Sequence, residues 1–280
     1  MNIEIICPIY NAEKYILELD KSLKKQQNVN IYKILYILTQ SDDNTEAILN
    51  QINANYNKIN KKDFSHSIVR EKAALESNAD IVVFITQDIY IEDNLWLYNL
   101  VKDIDDKEIV ATYSRQISKY NNIEKYTREY NYSNYDIVKT KDDIEKIGLK
   151  TFFFSDASSA ISTKIFKKLG GYDGKNLPIN EDMYIAYKII MRGYKIKYCS
   201  KSIVYHSHNF TLKELYMRYK LIGEFFKENK YFEDYSITEN GIDLAKYILK
   251  RIIQEKRFFL LLRYPFDMIA RLLGMKVGKK

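Results

Sequence analysis

The chain has 280 residues, 46% of them hydrophobic and 29% charged, enough to bury a substantial core and far from the composition of a disordered chain. Its net charge of +7 is unevenly held: residues 246–280 contain ten Lys/Arg against two Asp/Glu, net +8, so the first 245 residues carry −1. A basic excess confined to the tail argues against nucleic-acid binding and for a tail that meets anionic lipid.

The first half alternates strand and helix signals. Residues 3–9 read as a strand, 11–25 as a helix, 31–38 as a second strand, 45–59 as a second helix and 71–77 as a short helix. The apolar run Ile81-Val82-Val83-Phe84-Ile85 then reads as a buried strand. This alternation predicts a parallel sheet with right-handed crossovers. The first turn, Cys7-Pro8-Ile9-Tyr10-Asn11, holds no glycine, so neither a dinucleotide fingerprint nor a P-loop is expected. Residues 112–150 are polar and read as an excursion with little strand signal. Regular structure is expected to resume at Thr151, with a helix over 161–169 ended by Gly170-Gly171. A helix opened by Pro178-Ile179-Asn180-Glu181-Asp182 should run to Met191, followed by short strands at 196–198 and 203–205 and by helices from Leu212 onward.

Cys7 and Cys199 lie in apolar runs without metal-ligand spacing, as expected of buried thiols in a reducing compartment. Met1-Asn2-Ile3-Glu4-Ile5 reads as a first strand rather than a signal peptide, and no apolar stretch approaches the roughly 20 residues that span a bilayer. A cytoplasmic protein is the expectation.

Three segments carry the chemistry. Thr86-Gln87-Asp88 falls at the carboxyl end of the strand over 81–85, where open α/β sheets bind ligands. Glu181-Asp182 stands at the start of a helix. His206 and His208 alternate along a strand and so face the same way. Carboxylate and imidazole together suit a divalent cation, and the combination points to a metal-assisted transferase acting on a diphosphate-linked donor. The plainer alternatives are an ordinary strand-end aspartate, two acids that favour a helix N-terminus, and two satisfied histidines.

These residues also carry a resemblance. Cys7-Pro8-Ile9-Tyr10-Asn11-Ala12, Phe64-Ser65-His66 with Arg70, Phe84-Ile85-Thr86-Gln87-Asp88 followed by Trp96-Leu97, Glu181-Asp182, Val204-Tyr205-His206-Ser207-His208-Asn209, and Arg218-Tyr219 with Gly223 occur in one order. In that order they resemble the family-2 glycosyltransferases, and among them the bacterial rhamnosyltransferases of surface-polysaccharide assembly. The resemblance spans about residues 1–230. It implies an α/β GT-A fold, with a Rossmann-like, mostly parallel central sheet flanked by helices, over residues 1–230, and a basic helical extension over 231–280. It implies Pro8, Tyr10, Asn11, Arg70, Thr86, Gln87, Asp88 and Asp156 at the donor, and Asp88 with His206 or His208 at a Mn²⁺ or Mg²⁺ ion. Asp182 is then the general base, with Glu181 orienting it, for an inverting transfer onto a saccharide or lipid-linked acceptor. The donor it implies is dTDP-L-rhamnose; UDP-glucose, UDP-galactose or another nucleotide sugar is the alternative, and a non-catalytic scaffold is the alternative of another class. One departure stands out. Where the family's second strand ends in an Asp that reads the base, this chain has Leu38-Thr39-Gln40, with Asp42 and Asp43 coming later.

In the tail, Ile242, Ala245, Leu249, Ile252 and Ile253 fall at helical spacing among Lys246, Lys250 and Arg251. Phe258-Phe259-Leu260-Leu261-Leu262 follows, and Pro265 is expected to break that helix. Such a basic amphipathic tail lies on a membrane, at the cytoplasmic face of the plasma membrane, or packs on the catalytic domain or on a second copy of the chain in a homodimer.

Overall fold

The computed structural model describes residues 1–235 and 239–280. The chain forms two compact units. The first comprises residues 1–115, 134–141 and 152–206; the second comprises 116–133, 142–151 and 207–280. The second unit therefore draws on two internal segments and on residues from 207 onward, a wider set than the extension over 231–280.

The elements run β1 (Asn2–Ile9), α1 (Ile16–Lys24), β2 (Asn30–Thr39), α2 (Thr45–Gln51), β3 (Asn55–Ile59), α3 (His66–Glu76), β4 (Ile81–Ile85) and α4 (Trp96–Val101). Then come β5 (Ile109–Ile117), α5 (Ile123–Asn131), β6 (Ile137–Lys139), α6 (Ile144–Ile147), β7 (Ser158–Ser162), α7 (Thr163–Lys168), α8 (Glu181–Met191) and β8 (Lys195–Tyr205). Three helices close the chain: α9 (Leu212–Glu228), α10 (Glu239–Gln254) and α11 (Phe258–Gly278).

The strands form one sheet in the order β3-β2-β1-β4-β7-β5-β8-β6. β3, β2, β1 and β4 are parallel, while β7 runs antiparallel to both β4 and β5, and β6 antiparallel to β8. Every residue of β4, and of β1 from Ile3 onward, is buried, as unbroken apolar strands covered on both faces must be. Ile5 and Val83 pair across β1 and β4, and Trp96 and Leu97 of α4 share their core. The Trp96 indole donates to Ser114 Oγ (3.1 Å) and Ser158 Oγ (3.2 Å), and Ser114 joins Ser202 at 2.8 Å. That satisfied polar cluster ties α4 to β5, β7 and β8 at no desolvation penalty.

The structure corrects five local expectations. The helix over 45–59 is a short α2 followed by edge strand β3, because Asn53 turns left-handed (φ 50°) and Asn55–Ile59 then pairs parallel with Leu35–Thr39 of β2. The excursion over 112–150 contains β5, α5 and β6. Regular structure does not wait until Thr151, which lies within a 3₁₀ turn over Gly148–Phe152. The helix over 161–169 begins as β7, whose small, polar serines carry no apolar alternation yet are all buried. Pro265 lies inside α11 without ending it; the turn whose hydrogen bond it removes is exposed at Leu261, and the helix is held from its other side.

That other side is the contact with α9. A Cβ on Gly274 or Gly278 would overlap the carbonyl oxygens of Tyr216 or Lys220, and one on Gly223 would stand 2.6 Å from the Met275 oxygen. The two helices thus touch backbone to backbone. Thr211 starts α9 with a capping box: its hydroxyl accepts from the Glu214 amide (3.2 Å), and its own amide donates to the Glu214 carboxylate (2.8 Å). Ile248 and Ile252 of α10 are buried against Ile123 and Tyr126 of α5, with Leu260 and Tyr264 packed on the same cluster.

Gly274→Ala is expected to cost about 1–3 kcal/mol by forcing the two backbones apart. Gly241→Ala, with no atom within 4 Å of the new methyl group, should be neutral or stabilising by up to about 1 kcal/mol. Urea denaturation followed by circular dichroism separates the two outcomes.

Candidate active site

The site assembles at the carboxyl ends of β1 and β4. β1 delivers Pro8, buried opposite Ile37 of β2 and past the last residue paired with β4, so its missing N–H costs no ladder bond. Tyr10 follows, 42% exposed. Asn11 is left-handed (φ 46°), a conformation that asparagine tolerates; its carboxamide oxygen accepts from the Asp42 amide (3.1 Å), and its own amide donates to Ser41 Oγ (3.0 Å). Ala12 donates to Thr45 Oγ1 (2.7 Å) and Glu13 to Asp43 (3.1 Å). These bonds fix the turn after β1 to the turn after β2 and delay the first helix to Ile16. They also decide the two late aspartates. Loss of solvation pushes the Asp43 carboxyl up, but the bonds from the Thr45 hydroxyl and the Glu13 and Thr45 amides together outweigh it and hold it below the usual carboxylate range. Asp42 is exposed and paired with Lys61 at 2.6 Å, and the Lys61 ammonium lies 5.4 Å from the centre of the Tyr10 ring.

Gln87 bridges the two strand ends. It accepts from the Tyr10 amide (2.7 Å) and donates to the Tyr10 carbonyl (2.9 Å), so its carboxamide positions the Tyr10 turn. Thr86 donates through its backbone to the Ala157 carbonyl (3.3 Å), and its hydroxyl is buried with no protein partner. Asp88 Oδ2 lies 3.4 Å from His206 Nε2. Two hydrogen bonds of 2.9 Å between Tyr90 and Tyr205 zip the segment after β4 to the end of β8 and bring this pair together. His206 is buried because it continues the inward alternation of Ser202 and Val204. A carboxylate and an imidazole at this spacing fit neighbouring ligands of a cation with bonds near 2.1 Å, which stand about 3 Å apart. His208 comes two residues later, in the second unit, its ring 4.8 Å from that of Phe210.

The acid pair is built around a buried arginine. Arg70 on α3 is 1% exposed and Glu181 at the start of α8 is 8% exposed; Nη1 donates to Glu181 Oε1 at 2.5 Å and Nη2 to the Asp156 carbonyl at 3.4 Å. The Arg70 Nε–H is buried without a protein acceptor. Asp156 is itself buried and accepts from Ser159 (2.6 Å) and Tyr172 (2.7 Å). Burial raises its pKa, and Arg70 opposes that rise. The loop before α8 is tied to α3: Ser67 accepts from the Leu177 amide (2.8 Å) and donates to the Lys175 carbonyl (2.6 Å), and Glu71 accepts from the Gly174 amide (3.0 Å). Asn180, left-handed at φ 59°, then presents Glu181 and Asp182.

Helix capping does not account for this pair. Asn180 makes no side-chain cap bond, Glu181 points to Arg70, and Asp182 accepts only from the adjacent Met183 amide (2.8 Å). Asp182 keeps partial contact with solvent, yet it is crowded by protein on most sides. Loss of solvation, and then the negative charges of Glu181 and Asp156, hold its carboxyl well above the usual carboxylate range. Arg70 and Asp88 both stand near enough to Cys7 to act on its buried thiol. The hydrogen bonds through Ala157, Asp156 and Arg70 link the Asp88 strand end to the acid pair.

A family model, Glycosyl transferase family 2, matches residues 4–170. The chain belongs to this family. As a family-2 glycosyltransferase it is 33% identical to the O-antigen chain rhamnosyltransferase RfbN of Salmonella typhimurium, covering 100% of this chain and 90% of that protein. It is 31% identical to the O-antigen chain rhamnosyltransferase WbaN of Salmonella anatum, covering 98% and 88%. Among solved structures, the glycosyltransferase is similar to the mannosyltransferase PcManGT of Pyrobaculum calidifontis, solved with GDP-Man and Mn²⁺ (TM-score 0.58, 14% identity, 99% of this chain and 74% of that one). It is also similar to TarS of S. aureus (TM-score 0.60, 16% identity, 100% and 55%). These likenesses establish the GT-A fold.

In this glycosyltransferase, Glu181, Asp182, Asp156 and Arg70 form one cluster, Asp88 and His206 form a pair, and Tyr10 and Gln87 form a clamp. Tyr172, Ser67 and Glu71, which hold the acid cluster, and Lys61, which covers Tyr10, had no motif to mark them. Their partners lie between 16 and 110 residues away in the chain.

Arg70→Ala is expected to destabilise the transferase by about 3–5 kcal/mol, because it strands Glu181 as an unpaired buried charge; Arg70→Met combined with Glu181→Leu should recover most of that loss. Asp182→Asn should raise stability near neutral pH. An ionised Asp182 opposes folding, and that penalty grows as pH rises above the unfolded-chain value near 3.9. The advantage of the variant should therefore vanish below about pH 4, as read from thermal melts across pH.

Proposed function

We propose that this protein is an inverting rhamnosyltransferase. It moves L-rhamnose from dTDP-L-rhamnose onto a growing, lipid-linked surface-polysaccharide acceptor at the cytoplasmic face of the membrane. The observation that carries the chemistry is Asp182. It is a carboxyl held unusually basic yet still reached by solvent, beside a buried Glu181–Arg70 pair and on the same sheet edge as Asp88 and His206. The choice of sugar is supported by the whole-chain similarity to two O-antigen rhamnosyltransferases.

Asp182 accepts the acceptor hydroxyl proton as that oxygen attacks the anomeric carbon. The new glycosidic C–O bond forms as the bond to the diphosphate breaks. The nucleoside diphosphate leaves with its electron pair, and the anomeric configuration inverts. The raised pKa of Asp182 makes it a stronger base than an exposed aspartate. Glu181 contributes to that rise, and Arg70 holds Glu181 in place. Asp156 supports this arrangement from beneath, through Arg70 and Tyr172. The exposed Tyr10 ring offers a stacking face for the base, bordered by Lys61, and Asn11 and Gln87 hold that turn rigid. Asp88 with His206 or His208 would hold a Mn²⁺ or Mg²⁺ ion, which would supply Lewis-acid neutralisation of diphosphate charge.

Turnover of dTDP-L-rhamnose, UDP-glucose and UDP-galactose by purified protein, with Mn²⁺ or Mg²⁺ and with EDTA, tests the reading. Cation-dependent use of dTDP-L-rhamnose is expected. Asp182→Asn should lower kcat by about 10²–10⁴-fold, and Asp88→Ala should abolish the response to added cation. Preference for a UDP-sugar would overturn the donor, and no turnover of any donor would favour a scaffold. The acid limb of kcat/KM should lie above the ordinary aspartate value of about 3.9, activity falling as Asp182 is protonated.

A further inference from the structure

Helix α11 is built inside out. Two of its charged residues face inward: Asp267 and Arg271 are buried, Arg271 donating to Glu124 of α5 (2.8 Å) and Asp267 accepting from the partly exposed Arg263 (3.1 Å). The inward seam also carries Gly274 and Gly278 against α9. The outward arc is apolar. Phe258, Phe259, Leu262, Phe266, Ile269 and Leu272 are between 51% and 90% exposed, and at 100° per residue they share one side of the helix. The α10 stripe does not continue this face, because Ile248 and Ile252 are consumed by the core beneath α5.

We propose that this outer face of α11 lies in the interface of an anionic membrane, with the helix parallel to its plane. Charge decides between lipid and a second copy of the chain. The sole acid of α11, Asp267, is buried, while Lys256 and Arg257 precede the apolar arc and Lys276 and Lys280 end it, Lys279 being paired with Glu233 at 3.0 Å. Face-to-face pairing of two copies, parallel or antiparallel, would set cations against cations, whereas lipid phosphates complement both ends. The helix of 21 residues is about 31 Å long, enough to present the whole arc to one leaflet. No helix among the described residues is long and apolar enough to cross a membrane. The proposal extends the membrane-face location proposed above, and its test needs no turnover, so the two can fail separately.

The test is flotation of the full-length protein with vesicles of phosphatidylcholine alone and of phosphatidylcholine with phosphatidylglycerol. Binding to the anionic vesicles is expected, weakened by salt. It should fall at least about tenfold in Phe259→Glu/Leu262→Glu/Ile269→Glu and about fivefold for each of Lys276→Gln and Lys280→Gln. Thermal melts establish that the triple variant folds. Should it not fold, Phe259→Trp in the native chain reads the same contact, because brominated lipid should quench a tryptophan at 259 but leave buried Trp96 unquenched. Failure of the native protein to float, or flotation of a folded triple variant at the native level, overturns the proposal. A native dimer split by the triple variant, with no vesicle binding by either, also overturns it and assigns the face to a second copy.

Discussion

One buried charge pair governs the catalytic end of the first unit. Arg70 comes from α3 and Glu181 from the first turn of α8, more than a hundred residues later, and both are nearly sealed from water. A buried cation and a buried anion each forfeit several kcal/mol of hydration, and each is tolerable only because the other is present. The pair therefore fixes the start of α8 against α3, since sliding either helix strands a charge. Ser67 and Glu71, also on α3, repeat the restraint on the loop before α8. Asp182 is the residue placed by all of this. It has one neighbour donating to it, two negative neighbours and little water, which is what makes a carboxyl basic.

The rest of the site is hung from the same sheet edge by backbone contacts. The Gln87 carboxamide spends both of its groups on Tyr10, and the Tyr90–Tyr205 bridge sets His206 against Asp88. A glycosyltransferase gains from such rigidity, because orientation fixed in folding need not be reached at the moment of reaction. The late aspartates after β2 belong to this scaffolding. Asp43 caps and staples the turn, and only Asp42, with Lys61, stays on the surface near the Tyr10 ring.

The second unit follows another logic. In α11 the glycines allow a backbone contact with α9, and the helix has turned its salt bridges inward and its aromatic and aliphatic residues outward. In water that distribution gives away hydrophobic free energy, and it becomes favourable when a low-dielectric surface covers the arc.

The alternation of strand and helix, the burial of β1 and β4 and the helical tail were legible because each rests on local periodicity. Asp88, Asp182 and the histidines were marked as candidates by residue type and order alone. β3 and β7 were not legible: one is an edge strand hidden in a helical period, the other a run of serines whose burial depends on Trp96 and Ser114. Nor was the burial of Arg70, a residue that the resemblance placed at the donor, against Glu181. By itself, then, the sequence determined which groups can accept a proton or hold a cation, since that is a property of each side chain. Only the tertiary structure decided which of them are desolvated and paired, because burial and charge coupling arise from residues distant in the chain meeting at one sheet edge.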